Sequence, residues 1–274
     1  MDSKTIQLGN SNYAYYEIAN PGKPKMLMLH GMMVESHCFE KLAEHLKVHY
    51  HLFLLDLKGH GKSDNGKSYD EGYTNDIIAA DLLAFQKQII QEPFHLVGYS
   101  LGGQYSLKFA GTYPELVKSM TLIDSAPTLS SKGIFLILYA LLTVPKFFRN
   151  KEHVLNYYNS KLAGLGDYMF KYCVSESTNG RYLLRYDKKN LSPNTLGKAA
   201  IRTKDLWESS RKIKSPALVL RAEKSAIIDN KIERTMKANM PQANVVLMKD
   251  MGHELVFSNA KEVFEQIHGF VAKA

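Results

Sequence analysis

Apolar and polar positions follow two alternating rhythms along most of this chain. Lys25–His30 (KMLMLH), Leu52–Asp56 (LFLLD), His95–Tyr99 and Ser119–Asp124 (SMTLID) are short apolar runs followed by turn residues, which predicts strands buried on both faces. Between them the spacing becomes helical, over Ser36–Leu46, Thr74–Gln91 and Leu101–Thr112. In Thr74–Gln91 the residues Ile77, Ile78, Leu82, Phe85 and Ile89 form one apolar stripe. Two leading strands, Ile6–Leu8 and Tyr13–Ile18, are predicted around the turn Gly9-Asn10-Ser11-Asn12. The rhythm stops at Pro127. It resumes with a strand over Ala217–Arg221, a helix near Asn230–Asn239, a strand over Val245–Met248 and a last helix over Lys261–Lys273.

Regular strand–helix alternation predicts an α/β fold, a mostly parallel sheet with helices on both faces. Residues 1–126 and 211–274 then form one core domain, and 127–210 is a largely helical insertion. Its most apolar run, Ile134–Val144 (IFLILYALLTV), has eleven residues and ends at Pro145. A transmembrane helix needs about 20 apolar residues, so this run is expected to be a buried or interfacial helix, with no transmembrane segment.

Composition narrows the class. With 45% apolar and 23% charged residues the chain is an ordinary globular protein, not a disordered or fibrous one. Cys38 and Cys173 are its two cysteines, far apart and without ligand spacing. That excludes a disulfide scaffold or a structural zinc site and suits a reducing, cytoplasmic compartment. Met1–Asn10 lacks the apolar stretch of a targeting signal.

The candidate chemistry sits where predicted strands end. Gly98-Tyr99-Ser100-Leu101-Gly102 is a G-x-S-x-G between a strand and a helix. A sharp bend there needs glycines and pushes the Ser100 hydroxyl out at the carboxyl edge of the sheet. His30-Gly31-Met32 follows another strand, so the amides of Met32 and Leu101 are the expected donors to an oxyanion. Met251-Gly252-His253 follows the last strand, which puts His253 at the same edge as the expected base. His30 and His60 are read as structural loop histidines. His37, His45, His49, His51, His153 and His268 are expected on solvated stretches.

The order HGM, DLKGHGKSD, GYSLGG, LIDSAP, a variable insert, ALVLRAEKS and GHE resembles the α/β-hydrolase superfamily over residues 5–126 and 211–272. The resemblance implies an eight-stranded, mostly parallel sheet, a Ser–His–acid triad and a cap built from the insert. In many members the acid follows the strand equivalent to Ala217–Arg221. Here Ser225 and Ala226 occupy its two usual places. Other members carry the acid after the strand that follows the nucleophile's helix, and Asp124 has that position. Asp124 is therefore preferred, with Glu223 and Asp229 as alternatives.

A serine at the elbow, where the dehalogenases and epoxide hydrolases of this fold carry aspartate, points to acyl transfer without metal or organic cofactor. Twelve aromatic residues between Pro127 and Ser210 suggest an apolar pocket roof, which suits a small-molecule ester with an apolar acyl group. A carbon–carbon bond hydrolase on the same triad and a non-catalytic ligand-binding member are the alternatives. Net charge is +8, and residues 127–210 hold 13 Lys/Arg against 6 Asp/Glu. The surplus thus belongs to the insert and favours anionic substrates or an anionic membrane surface; no motif supports nucleic-acid binding. Arg181–Asp187 (RYLLRYD) resembles a cap segment of related hydrolases and has no assigned role.

Overall fold

The computed structural model describes residues 1–196 and 199–273. Its main sheet has eight strands: β1 (Ser3–Leu8), β2 (Ser11–Ile18), β3 (Lys25–Leu29), β4 (His51–Leu55), β5 (Phe94–Tyr99), β6 (Val117–Ile123), β9 (Ala217–Ala222) and β10 (Ala243–Met248), the last two following the hairpin β7 (Val174–Glu176) and β8 (Tyr182–Leu184) of the insert. The order is β1-β2-β4-β3-β5-β6-β9-β10. β2 pairs antiparallel with both β1 and β4, and the remaining neighbours are parallel.

Period-two packing explains the unbroken apolar runs. Successive side chains of a strand point to opposite faces. Leu27 and Leu29 of β3, with Phe53 and Leu55 of β4, enter one buried cluster. Met26, Met28, Leu52 and Leu54 enter the other. Helices α2 (Asn75–Phe85) and α3 (Leu101–Thr112) cover the first face. Helix α1 (Glu40–Leu46) covers the second, joined late in the chain by a terminal pair of helices over Leu255–Ser258 and Ala260–Val271.

The insert carries α4 (Ser131–Thr143), α5 (Lys151–Asn159), α6 (Leu165–Tyr168), the hairpin β7–β8, α7 (Pro193–Leu196) and α8 (Ala199–Ser210). The hairpin is the non-helical part of a largely helical segment, and its three-residue strands are too short to show a period. Leu206 of α8 is buried in the α2–α3 cluster, and Lys108 of α3 pairs with Asp205 at 2.6 Å. Lys198, one of the insert's basic residues, lies outside the described residues. Among the described residues no helix is long and apolar enough to cross a membrane.

The Arg181–Asp187 segment ties this insert to the loop after β4. Gly61 N–H donates to Arg185 O at 3.1 Å, and Asp187 N–H donates to Gly59 O at 2.8 Å. Tyr73 O–H donates to the buried Asp187 Oδ2 at 2.6 Å. His37 corrects the expectation of a solvated residue. It is buried, its Nδ1 lies 2.8 Å from Glu35 Oε2, and its ring stacks on Tyr172 of the insert at 4.1 Å. His51 likewise meets Glu17, at 2.7 Å.

Candidate active site

Ser100 stands between β5 and α3 with φ 50° and ψ −113°. A non-glycine residue at positive φ is strained, so the surroundings must hold it there. Ser100 N–H donates to Ile123 O at 3.1 Å, and Ser125 O–H donates to Ser100 O at 2.6 Å. Gly102 is required by close approach: a Cβ would strike the Leu29 carbonyl. The bend thereby brings α3 against the end of β3, where Gly102 N–H donates to His30 O at 3.0 Å.

His253 follows β10 and reaches back over the sheet edge. Its Nε2 lies 3.0 Å from Ser100 Oγ, and its Nδ1 lies 2.7 Å from Asp124 Oδ2. An ionised carboxylate only accepts, so Nδ1 carries the proton and Nε2 is free to accept from the serine. Asp124 is fully buried at the end of β6, at φ 43°. Its Oδ1 accepts the Ala222 amide at 3.2 Å. Glu223 instead accepts the Asp250 amide at 2.8 Å, and Asp229 accepts from Ile232 N–H at 2.8 Å as the cap of the helix Asn230–Asn239. Neither alternative acid bonds to His253 among the described residues.

Met32 and Leu101 flank Ser100 on a cavity of about 250 Å³. Neither backbone amide donates to a protein acceptor among the described residues. Apolar side chains dominate the remaining wall, notably Leu129, Ile134, Ile137 and Ala140 of the insert and Ile227 of the core. No Lys or Arg lines it among the described residues.

His30 and His60 lie outside this geometry. His30 Nε2 accepts Leu57 N–H at 2.8 Å, and its Nδ1 bonds Gly31 O at 2.7 Å. Burial lowers its pKa to about 4. Burial, with the neighbouring His30 second, lowers that of His60 to about 3. Both are neutral braces of the β3 and β4 loops.

Three contributors carried no sequence signal of their own. Tyr99 O–H donates to His253 O at 3.0 Å, fixing the loop that bears the imidazole. Ser125 pins the strained elbow. Ile227 follows the two positions where the acid is missing and turns that region into apolar wall.

An eight-stranded sheet with a strained serine elbow and a histidine–carboxylate pair at its carboxyl edge defines the α/β-hydrolase class. The alpha/beta hydrolase fold family model matches residues 24–260, and the chain belongs to that family. It is 28% identical to Lipase 1 of Psychrobacter immobilis, over 92% of this chain and 78% of that protein. It is 27% identical to Lipase 3 of Moraxella sp. (strain TA144), over 98% and 84%. Among solved structures, E-2-(acetamidomethylene)succinate hydrolase superposes with a TM-score of 0.85 at 22% identity, covering 99% of both chains.

Proposed function

We propose that this hydrolase cleaves carboxylic esters of apolar acyl groups through Ser100, His253 and Asp124. One observation carries the proposal: the two nitrogens of His253 reach Ser100 Oγ and the buried Asp124 carboxylate at once, beside an apolar cavity. Ser100 Oγ attacks the acyl carbon as His253 Nε2 takes its proton, and Asp124 stabilises the imidazolium. The Met32 and Leu101 amides receive the oxyanion. His253 returns the proton to the departing alcohol. Water, deprotonated by the same nitrogen, then attacks the acyl-enzyme, releasing the acid and restoring Ser100.

Residues 127–210 act as the cap over this site, with α4 as the roof of the acyl cavity. The lipase relatives support the ester reading, and the lining supports an uncharged acyl group. The test is labelling by a fluorophosphonate together with hydrolysis of an activated short-chain ester. Wild type should label and turn over, and Ser100→Ala should do neither. A folded wild type that fails to label would overturn the proposal.

A further inference from the structure

Helix α4 is apolar on every side. On its inner side, Ile137 and Ala140 line the Ser100 cavity with the half-exposed Ile134 at its edge, and Leu141 is buried. Its outer stripe is left to solvent: Phe135, Tyr139 and Leu142 are 64%, 54% and 71% exposed. Their i, i+4, i+7 spacing aligns them on one face. Leu136 flanks that face, and Phe147 follows just past the helix, both exposed. A contiguous patch of this kind marks an interaction surface.

The charge around the patch selects the partner. Between Asp124 and Glu152 there is no acidic residue, while Lys132, Lys146, Arg149 and Lys151 are all exposed. The exposed Arg181 guanidinium stands 4.1 Å over the Phe147 ring. Lys188 Nζ donates to the carbonyls of Pro145 and Lys146, which holds the turn presenting Lys146 and Phe147. Exposed aromatic and leucine side chains in a segment whose charged residues are all cationic match the acyl boundary and phosphates of an anionic monolayer. At 13 residues α4 is too short to span a bilayer and would lie in its plane.

We propose that the outer face of α4 docks the protein on an anionic lipid bilayer. Phe135, Tyr139 and Leu142 enter the headgroup–acyl boundary, and Lys132, Lys146, Arg149 and Arg181 meet lipid phosphates. The roof of the Ser100 cavity then rests on the membrane. Docking is a property of the surface and does not depend on the ester chemistry.

Co-sedimentation of the full chain with vesicles tests this. Vesicles of phosphatidylcholine with phosphatidylglycerol should bind at least tenfold more tightly than phosphatidylcholine alone, with the difference shrinking as salt rises. Phe135→Ser/Leu142→Ser and Lys146→Glu/Arg149→Glu should each weaken binding at least tenfold. Both pairs lie outside the cavity wall, so thermal melting and turnover of a soluble ester should match wild type and exclude misfolding. Absence of binding to the anionic vesicles overturns the proposal. So does a dimer in solution that Phe135→Ser/Leu142→Ser dissociates while vesicle binding is unchanged, since the stripe would then belong to a second copy.

Discussion

Asp124 and Ala222 are joined across adjacent strands: the Ala222 amide at the end of β9 donates to Asp124 Oδ1 at 3.2 Å. The backbone of β9 thus holds the carboxylate of the neighbouring strand in place. Oδ2 is left to His253. One carboxylate thus has both oxygens engaged, which fixes the plane in which the imidazole lies.

Asp124→Asn should therefore lower kcat on the order of 10³- to 10⁴-fold, because an amide disturbs the tautomer that leaves Nε2 accepting. Glu223→Gln and Asp229→Asn should keep turnover within about threefold. Their side chains brace the Asp250 amide and cap a helix, and asparagine caps as well as aspartate does. Steady-state kinetics on the three variants decides. Near-wild-type turnover in Asp124→Asn would remove the assignment.

Strain at the elbow predicts opposite signs for stability and activity. Ser100→Ala keeps the positive φ and its cost. Ser100→Gly relieves it and should be more stable than Ser100→Ala by about 1 kcal/mol, with both inactive. Gly102→Ala should be destabilised by about 3 kcal/mol, since the carbonyl it would strike belongs to a central strand and cannot move aside. Urea denaturation of the three proteins measures these differences.

The features legible in the sequence are those set by local constraints. Apolar runs at Lys25–His30 and Leu52–Asp56 had to be strands with two covered faces, and they supply residues to both clusters. The glycines around Ser100 announced a bend because nothing larger fits. Asp124 and His253 are 129 positions apart, so their approach could be anticipated only through likeness to other hydrolases. His37 is buried against the expectation of a solvated residue because its burial depends on Glu35 and on Tyr172 of the insert, contacts no local pattern encodes. The same reason hid the outer stripe of α4: periodicity shows that a helix is apolar, not which faces the fold leaves uncovered.

Buried histidines make stability fall on the acid side, His30 and His60 foremost and His95 in the same direction. Burial holds His30 and His60 neutral in the folded protein, with pKa values near 4 and 3, whereas the unfolded chain takes up their protons near pH 6.5. The unfolded state then binds more protons, so acidification favours it. Their contribution is complete above about pH 6.5 and is lost as pH falls from there toward about 4 for His30 and about 3 for His60. Each adds about 1.4 kcal/mol per pH unit to the slope in that window. Unfolding free energies at pH 7, 6 and 5 should fall progressively, and His30→Gln should have a shallower slope. A flat profile between pH 6.5 and 4.5 would contradict this account.

On the proposed ester chemistry, acyl length should be limited where α4 meets the cavity. A volume of about 250 Å³ is at the small end for a ligand pocket and accommodates short acyl groups. Ala140 is the smallest apolar side chain on its roof, so Ala140→Leu removes space without adding a polar group. Acetyl esters, which occupy only the region beside Ser100, should retain kcat/KM within about threefold. Hexanoyl esters should lose at least tenfold, since a misfit of one or two methylenes is worth about 1–3 kcal/mol. The ratio of the two constants cancels any general loss of folding or of the catalytic groups. Equal losses on both substrates would place the acyl chain elsewhere and turn α4 into a roof that the substrate does not touch.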